Sequence, residues 1–268
     1  MSADRALTLV SALAWRTRRE GTWQMFVPLV SFTVMLTAII LISLSGTNHI
    51  NGGQALVTFA EQYGAHTNAV TVGIGMVAGP GLVAVFASFS IIMLVRNLIG
   101  SEASRGGVEA LLAAPYRPRT IMIALLSYVG SIATFYWAAA TTILAIIFGL
   151  IIVTSGASVT FTASYLLAVL IVPLLAAWSS TGTSLLVYML FPRMAKAGSY
   201  GMNLGGGGIG SLLAILPAVG TLFAFLFWAP YISAGELLAV AGGAVAVVGV
   251  ASIVLITHLF RPDAILEA

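Results

Sequence analysis

Charge is scarce in this chain, and much of it sits in one place. Of 11 basic and 8 acidic residues, six lie between Arg96 and Arg119: Arg96, Glu102, Arg105, Glu109, Arg117 and Arg119. Elsewhere the residue types that carry chemistry do not assemble into a catalytic set. There is no inward-facing carboxylate pair, no HExxH, and no serine and histidine at motif spacing. Cysteine is absent, which removes disulfides, thiolate nucleophiles and cysteine metal sites. His49 and His66 have no carboxylate at metal-ligand spacing and read as loop residues. The run Gly205-Gly206-Gly207-Gly208-x-Gly210 lacks both the preceding strand and the Gly-Lys-Ser/Thr that a phosphate loop needs. It reads instead as a flexible lead into an apolar helix.

The polar segment Ser101–Thr120 therefore carries the functional argument. Gly106 and Gly107 interrupt an incoming helix, because glycine adopts backbone angles that other residues resist. Val108, Leu111 and Leu112 then recur at helical spacing and form one small apolar face. Pro115 ends that short helix, and Pro118 is expected to keep the exit non-helical. A short amphipathic helix held between two membrane spans can transmit a push.

The pattern Glu102-x-x-Arg105-Gly106-Gly107-x-Glu109-x-Leu111-Leu112-x-x-Pro115 resembles the cytoplasmic signature of type-2 ABC transporter permeases. Gly107 stands where that family usually has a hydroxyl residue. The resemblance implies that Glu102, Arg105, Gly106, Gly107, Glu109, Leu111, Leu112 and Pro115 belong to a coupling helix seated in a cleft of a separate ATP-binding cassette ATPase subunit. It also implies that ATP and Mg are bound by that partner and that this chain needs no cofactor of its own. A second permease copy, identical or related, would complete the pathway. Part of the segment between Pro217 and Gly235 is re-entrant in that picture.

The elements around the segment follow from composition. The chain is 60% hydrophobic and 7% charged, with a mean hydropathy of +1.07. Soluble domains carry about a quarter charged residues, so most of this surface must face lipid. The expected fold is all-α: a polytopic membrane protein with six transmembrane helices. Residues 1–24 form an N-terminal amphipathic interfacial helix, with Leu7, Val10 and Ala14 on one face and Arg16, Arg18 and Arg19 following. This stretch does not read as a signal peptide. Residues 25–268 form the permease domain, with spans at Met25–Ser45, Thr71–Val95, Ile121–Val153, Ala163–Phe191, Ile209–Trp228 and Glu236–Phe260. Gln54–Tyr63 is expected to be a short surface helix in the first external loop.

Finer features are read in the same way. Gly75 and Gly79 have the spacing of closely packed membrane helices, and Pro80 beside them predicts a kink whose freed carbonyl finds a donor on a neighbour. The hydroxyls of Ser179, Ser180, Thr181 and Thr183, next to Trp178, are expected to bond back to their helix or across to another. Trp228 and Tyr231 mark an interface, and Glu236 favours a helix N-terminus.

With the N-terminus inside, every one of the 11 basic residues, from Arg5 to Arg261, falls on the cytoplasmic side. Both termini and the Ser101–Thr120 segment are then cytoplasmic, in a multi-pass protein of the cell membrane. The basic balance reflects topology, not nucleic-acid binding. No expected span centre carries a charge, whereas ion-coupled carriers keep ionisable groups at the midplane. The reading is a non-enzymatic permease subunit of an ATP-driven exporter for a hydrophobic or amphipathic cargo: a drug, a lipid-like molecule or a peptide. The alternatives are an ion-coupled secondary transporter and a non-transporting scaffold or channel subunit.

Overall fold

The structure is a computed structural model that describes residues 8, 10–12, 14–15, 27–38, 53–104, 118–191 and 208–259. Among these residues the regular structure is entirely helical. In chain order we label the helices α1 (Val27–Ala38), α2 (Gly53–Gln62), α3 (Ala69–Ser104), α4 (Pro118–Ser155), α5 (Ala163–Leu190), α6 (Gly208–Trp228), α7 (Ala234–Leu237) and α8 (Gly243–Leu259). A single π-helical turn, Leu238–Gly242, joins α7 to α8. Five segments are long and apolar enough to cross a bilayer: Ala69–Ile99, Thr120–Thr154, Ala163–Leu190, Gly210–Trp228 and Ala234–His258. The protein is membrane-embedded. The described part of α1, 12 residues, would span about 18 Å of the roughly 30 Å of a hydrocarbon core.

The helices run long because their sequences are apolar all round, so lipid or a neighbour covers every face. Two of them form the hub. α3 packs on α2, α4, α5 and α6, while α5 packs on α3, α4, α6, the π turn and α8. In α3, 61% of the most apolar stretch is buried, against 17% in α4, so α3 is the inner helix and α4 lies outside it. Small residues form the waist, where Ala84, Ala176, Ala218 and Val245 from α3, α5, α6 and α8 meet.

A larger cluster fills the end of the bundle nearest Ser104. There Phe32 and Leu36 of α1 pack with Ile91, Val95, Met122, Leu185, Tyr188 and Ile256. Phe32 lies against Phe86 with ring centroids 4.5 Å apart. Val10, in the helical residues near the N-terminus, packs against this cluster, while Ala14 of the same expected apolar face is exposed. Leu7 lies outside the described residues.

The opposite end is closed by aromatics. α2 buries Phe59 and Ala60 and exposes Gln54, Thr58, Glu61 and Gln62. It is thus a packed cap on the bundle rather than a helix lying free on the surface. Tyr63 stands 5.1 Å from Tyr165, and Phe161 stacks on Tyr165 at 5.7 Å. The Thr160 amide donates to the Tyr63 carbonyl at 2.8 Å and ties the α4–α5 loop to this cap. Thr162 then caps α5, its hydroxyl accepting from the Tyr165 amide.

α3 runs unbroken through Pro80. Proline has no amide hydrogen, so the carbonyl four residues back loses its helical donor. That carbonyl belongs to Met76, and the buried Tyr165 hydroxyl donates to it at 2.8 Å. The expected donor from a neighbouring helix is therefore present. Tyr165→Phe should leave this carbonyl unsatisfied inside an apolar core and cost about 1–3 kcal/mol. A melting temperature in detergent equal to that of the wild type would show that the bond contributes nothing.

One expectation needs correction. Pro118 does not keep its segment non-helical; it is the first residue of α4. Proline is well suited to that position, since a first-turn amide has no helical acceptor and the ring presets the helical φ. Within the stretch from Pro217 to Gly235, the residues up to Trp228 are helical. α6 continues through Pro217 to Trp228 as a helix of 21 residues, about 31 Å long. After Trp228, exposed at the end of α6, a short connection with the exposed Tyr231 leads to α7, where Ser233 and Glu236 form a reciprocal capping box.

Candidate functional site

The residues singled out by their pattern flank the junction between α3 and α4. Glu102 lies in the last turn of α3. Arg105, Gly106, Gly107, Glu109, Leu111, Leu112 and Pro115 lie outside the described residues, as does the expected helix over Val108–Leu112. What the fold does define is the pair of anchors. The segment leaves from the end of the hub helix α3 and returns at Pro118, the start of the longest helix, α4. The segment is continuous with the end of α3, which packs on α1, α2, α4, α5 and α6.

The interior of the bundle carries a run of hydroxyls on α5. Ser179 donates to the Val245 carbonyl of α8 at 2.6 Å. Trp178 donates through Nε1 to Thr134 of α4 at 3.2 Å. Thr181 and Ser184 bond back to their own helix. Thr183 donates to the Ser179 carbonyl at 2.9 Å, with the Ala214 carbonyl of α6 3.3 Å away. Nearer the Ser104 end, the hydroxyls of Tyr188 and Ser211 meet at 2.9 Å. The two expected modes, back to the helix and across to a neighbour, both occur along this helix.

Close approach of the helices makes these cross-links possible. At Gly249 an added Cβ would lie 2.6 Å from the Ser179 hydroxyl, and at Gly182 it would lie 3.1 Å from Ser252. Gly75 and Gly79 receive Phe148 and Leu144 of α4 in the same manner. These two glycines also line a shallow apolar groove between α1, α3 and α4, with Leu36, Ile74 and Phe148 on its walls.

Some buried polar groups have no partner among the described residues: the hydroxyls of Ser88, Thr141 and Ser180, Nε1 of Trp137, and Nε and Nη2 of Arg96. Arg96 is the one that reading the sequence missed. It appears there as a cytoplasmic loop cation just past a span, yet it lies inside α3 and is only 5% exposed. The signal was available in Ile92, Val95 and Ile99, which continue the buried face of α3 around it. In the five long apolar segments, the described charged or histidine residues are Arg96, Glu236 and His258, each within three residues of a segment's end.

No known family, curated protein or solved structure matches the chain.

Proposed function

We propose that this chain is the membrane-spanning permease subunit of an ATP-driven exporter. The observation that carries the reading is the Glu102–Pro115 pattern, with its paired leucines, lying between the hub helix and α4. A separate ATP-binding cassette subunit docks on that segment, and closure of the ATPase pair on ATP and Mg displaces it. Because α3 contacts α2, α4, α5 and α6, movement of its end is felt through most of the bundle. The near absence of charge from the interiors of the five described spans supports an external energy source, since proton- and sodium-driven carriers hold ionisable groups at mid-membrane.

In this reading Met25–Ser45, of which α1 is the described part, is a sixth span. The N- and C-termini are cytoplasmic, and two permease copies enclose the path in the cell membrane. The chain itself performs no catalysis. The near absence of charge from the interiors of the described spans suits a hydrophobic or amphipathic cargo.

The full chain, purified from its native membrane in mild detergent, should bring down an ATPase. Reconstituted with it, transport should require ATP and persist when the proton gradient is collapsed. A cysteine introduced at Ser199 should react with an impermeant thiol reagent only on the face where ATP is consumed. Transport that follows the gradient and ignores ATP would establish a secondary carrier instead, and labelling of Ser199 from the opposite face would reverse the orientation.

A further inference from the structure

The last span changes its winding near the end that meets the aromatic cap. α7 runs into the π turn Leu238–Gly242, and that turn into α8, with no loop between them. A π turn closes its hydrogen bonds over five residues instead of four, so it takes up one residue more than an α turn. Such turns are rare and recur at functional sites. Both flanks are held. The capping box of Ser233 and Glu236 fixes the start of α7, and the Ser179 hydroxyl of α5 holds the Val245 carbonyl of α8 at 2.6 Å.

The extra residue has a visible effect on packing. α7, the π turn and α8 all pack on α5. Leu237, Ala241, Val245 and Gly249 are buried and follow one another at four-residue steps. In an unbroken α-helix each such step overshoots a full turn by about 40°, so Leu237 and Gly249 would end about 120° apart. Taking up one residue in the π turn removes about 100° of that and returns Leu237 to the side of Gly249.

The same sequence also suits a straight helix. Leu238, Gly242, Val245, Gly249, Ser252 and Ile256 alternate four and three residues apart, the stripe of a plain α-helix. In that straight register Leu238 takes the place that Leu237 holds in the π register. Leu237 is 1% exposed, whereas Leu238 is half-buried and packs against the same cluster. One leucine exchanges for another, so the apolar area kept from water stays nearly constant. At the junction, Gly243 has nothing within 4 Å of an added Cβ, so no neighbour blocks movement there.

We infer that the π turn is a register switch with two positions, one burying Leu237 and the other burying Leu238. Passing between them turns α7 by about 100° around the helix axis, the rotation of one residue, and leaves α8 in place. A side chain about 5–6 Å from the axis then moves about 8–9 Å. Residues 229–233 alone join α6 to α7, so the swing is passed to the Trp228 end of α6. The switch moves the rim of the bundle beside the aromatic cap while the α5–α8 contact stays as it is. It rests on helical register and stands whether or not an ATPase drives the protein.

The chain has no cysteine, so spin labels attach only where one is introduced. One label goes on Gly235→Cys of α7, which is exposed and has nothing within 4 Å of an added Cβ. Its partner goes on Ser158→Cys or, in a second pair, on Gln62→Cys, both exposed beside the aromatic cap. Double electron–electron resonance on the purified full chain in detergent should give two distances for at least one pair. Leu237→Ala should shift the populations toward the straight register and Leu238→Ala toward the π register. Each shift should be about tenfold, since burying rather than exposing a leucine is worth at least that. Deleting Val240, an exposed residue of the turn, removes the surplus and should leave one distance, that of the π register.

A single distance shared by the wild type and both alanine variants would make the turn a fixed bulge and overturn the switch. Populations that move in the same direction in the two variants would do the same, as would two distances that survive the deletion. Should the deletion variant fail to accumulate, the alanine pair, which keeps the chain length, decides.

Discussion

Gly81→Leu should prevent the bundle from assembling, and even Gly81→Ala should destabilise it measurably. A Cβ at position 81 would lie 2.6 Å from Leu222 Cδ1 and 2.7 Å from Leu222 Cα. The first contact can be relieved by a rotamer change; the second cannot, because Cα moves only with α6 as a whole. Gly73 is in the same position, with the Leu56 carbonyl oxygen of α2 2.5 Å from an added Cβ. Gly75 and Gly79 differ, since their close neighbours are the ends of the Phe148 and Leu144 side chains.

Overpacking a well-filled core typically costs about 1–3 kcal/mol. Alanine at 81 or 73 should fall near the top of that range and alanine at 75 or 79 near the bottom. Leucine at 81 adds three further carbons to the α3–α6 contact and should leave little folded protein in detergent. Gly149 and Gly220 have nothing within 4 Å of an added Cβ. Alanine there should be neutral or slightly stabilising, since it is the better helix former by about 0.8–1 kcal/mol in soluble hosts. Melting temperatures of the alanine series in one detergent check the ordering. Indistinguishable Gly81→Ala and Gly149→Ala proteins would mean that α3 and α6 are not in this contact.

These glycines also show how far sequence reasoning reaches into such a fold. That Gly75 and Gly79 lie at a helix contact was legible, because small residues four apart matter only where backbones approach. Which helix fills each notch was not. Gly73, Gly75, Gly79 and Gly81 receive α2, α4, α4 and α6 in turn, and that choice depends on how the helices are arranged around α3. The need for a donor to the carbonyl behind Pro80 was likewise legible from proline chemistry. Its source, Tyr165, lies 89 residues from Met76 and has no local signature.

Pro118 was misread because proline stops a helix from within yet starts one well, and sequence alone did not say on which side of the boundary it fell. Arg96 was misjudged for a related reason. Hydropathy ends a span at the first cation, whereas α3 continues to Ser104 and turns that cation inward. The coupling pattern itself was legible only as a pattern. Of its eight residues, Glu102 alone lies among those the structure describes.

On the proposed reading, the largest effect on function comes from Leu111→Ala combined with Leu112→Ala. Apolar side chains at adjacent positions in a cytoplasmic segment have no lipid to face, and a protein cleft is the alternative to water. A fully buried leucine contributes about 1.5–3 kcal/mol by area, and anchor residues at interfaces often cost about 2 kcal/mol or more when truncated. Association with the ATPase should weaken by roughly two orders of magnitude, since about 1.4 kcal/mol corresponds to tenfold. Glu109→Ala discriminates between two environments for its neighbour. A carboxylate on a solvated rim costs little when removed, whereas one paired with a buried arginine strands that charge and costs about 3–5 kcal/mol. Both variants should reach the membrane at wild-type levels, because neither touches a described span. ATPase co-purification and ATP-driven transport are measured beside the yield of folded subunit. Normal association and normal transport in the double leucine variant would mean that this segment does not couple the two proteins.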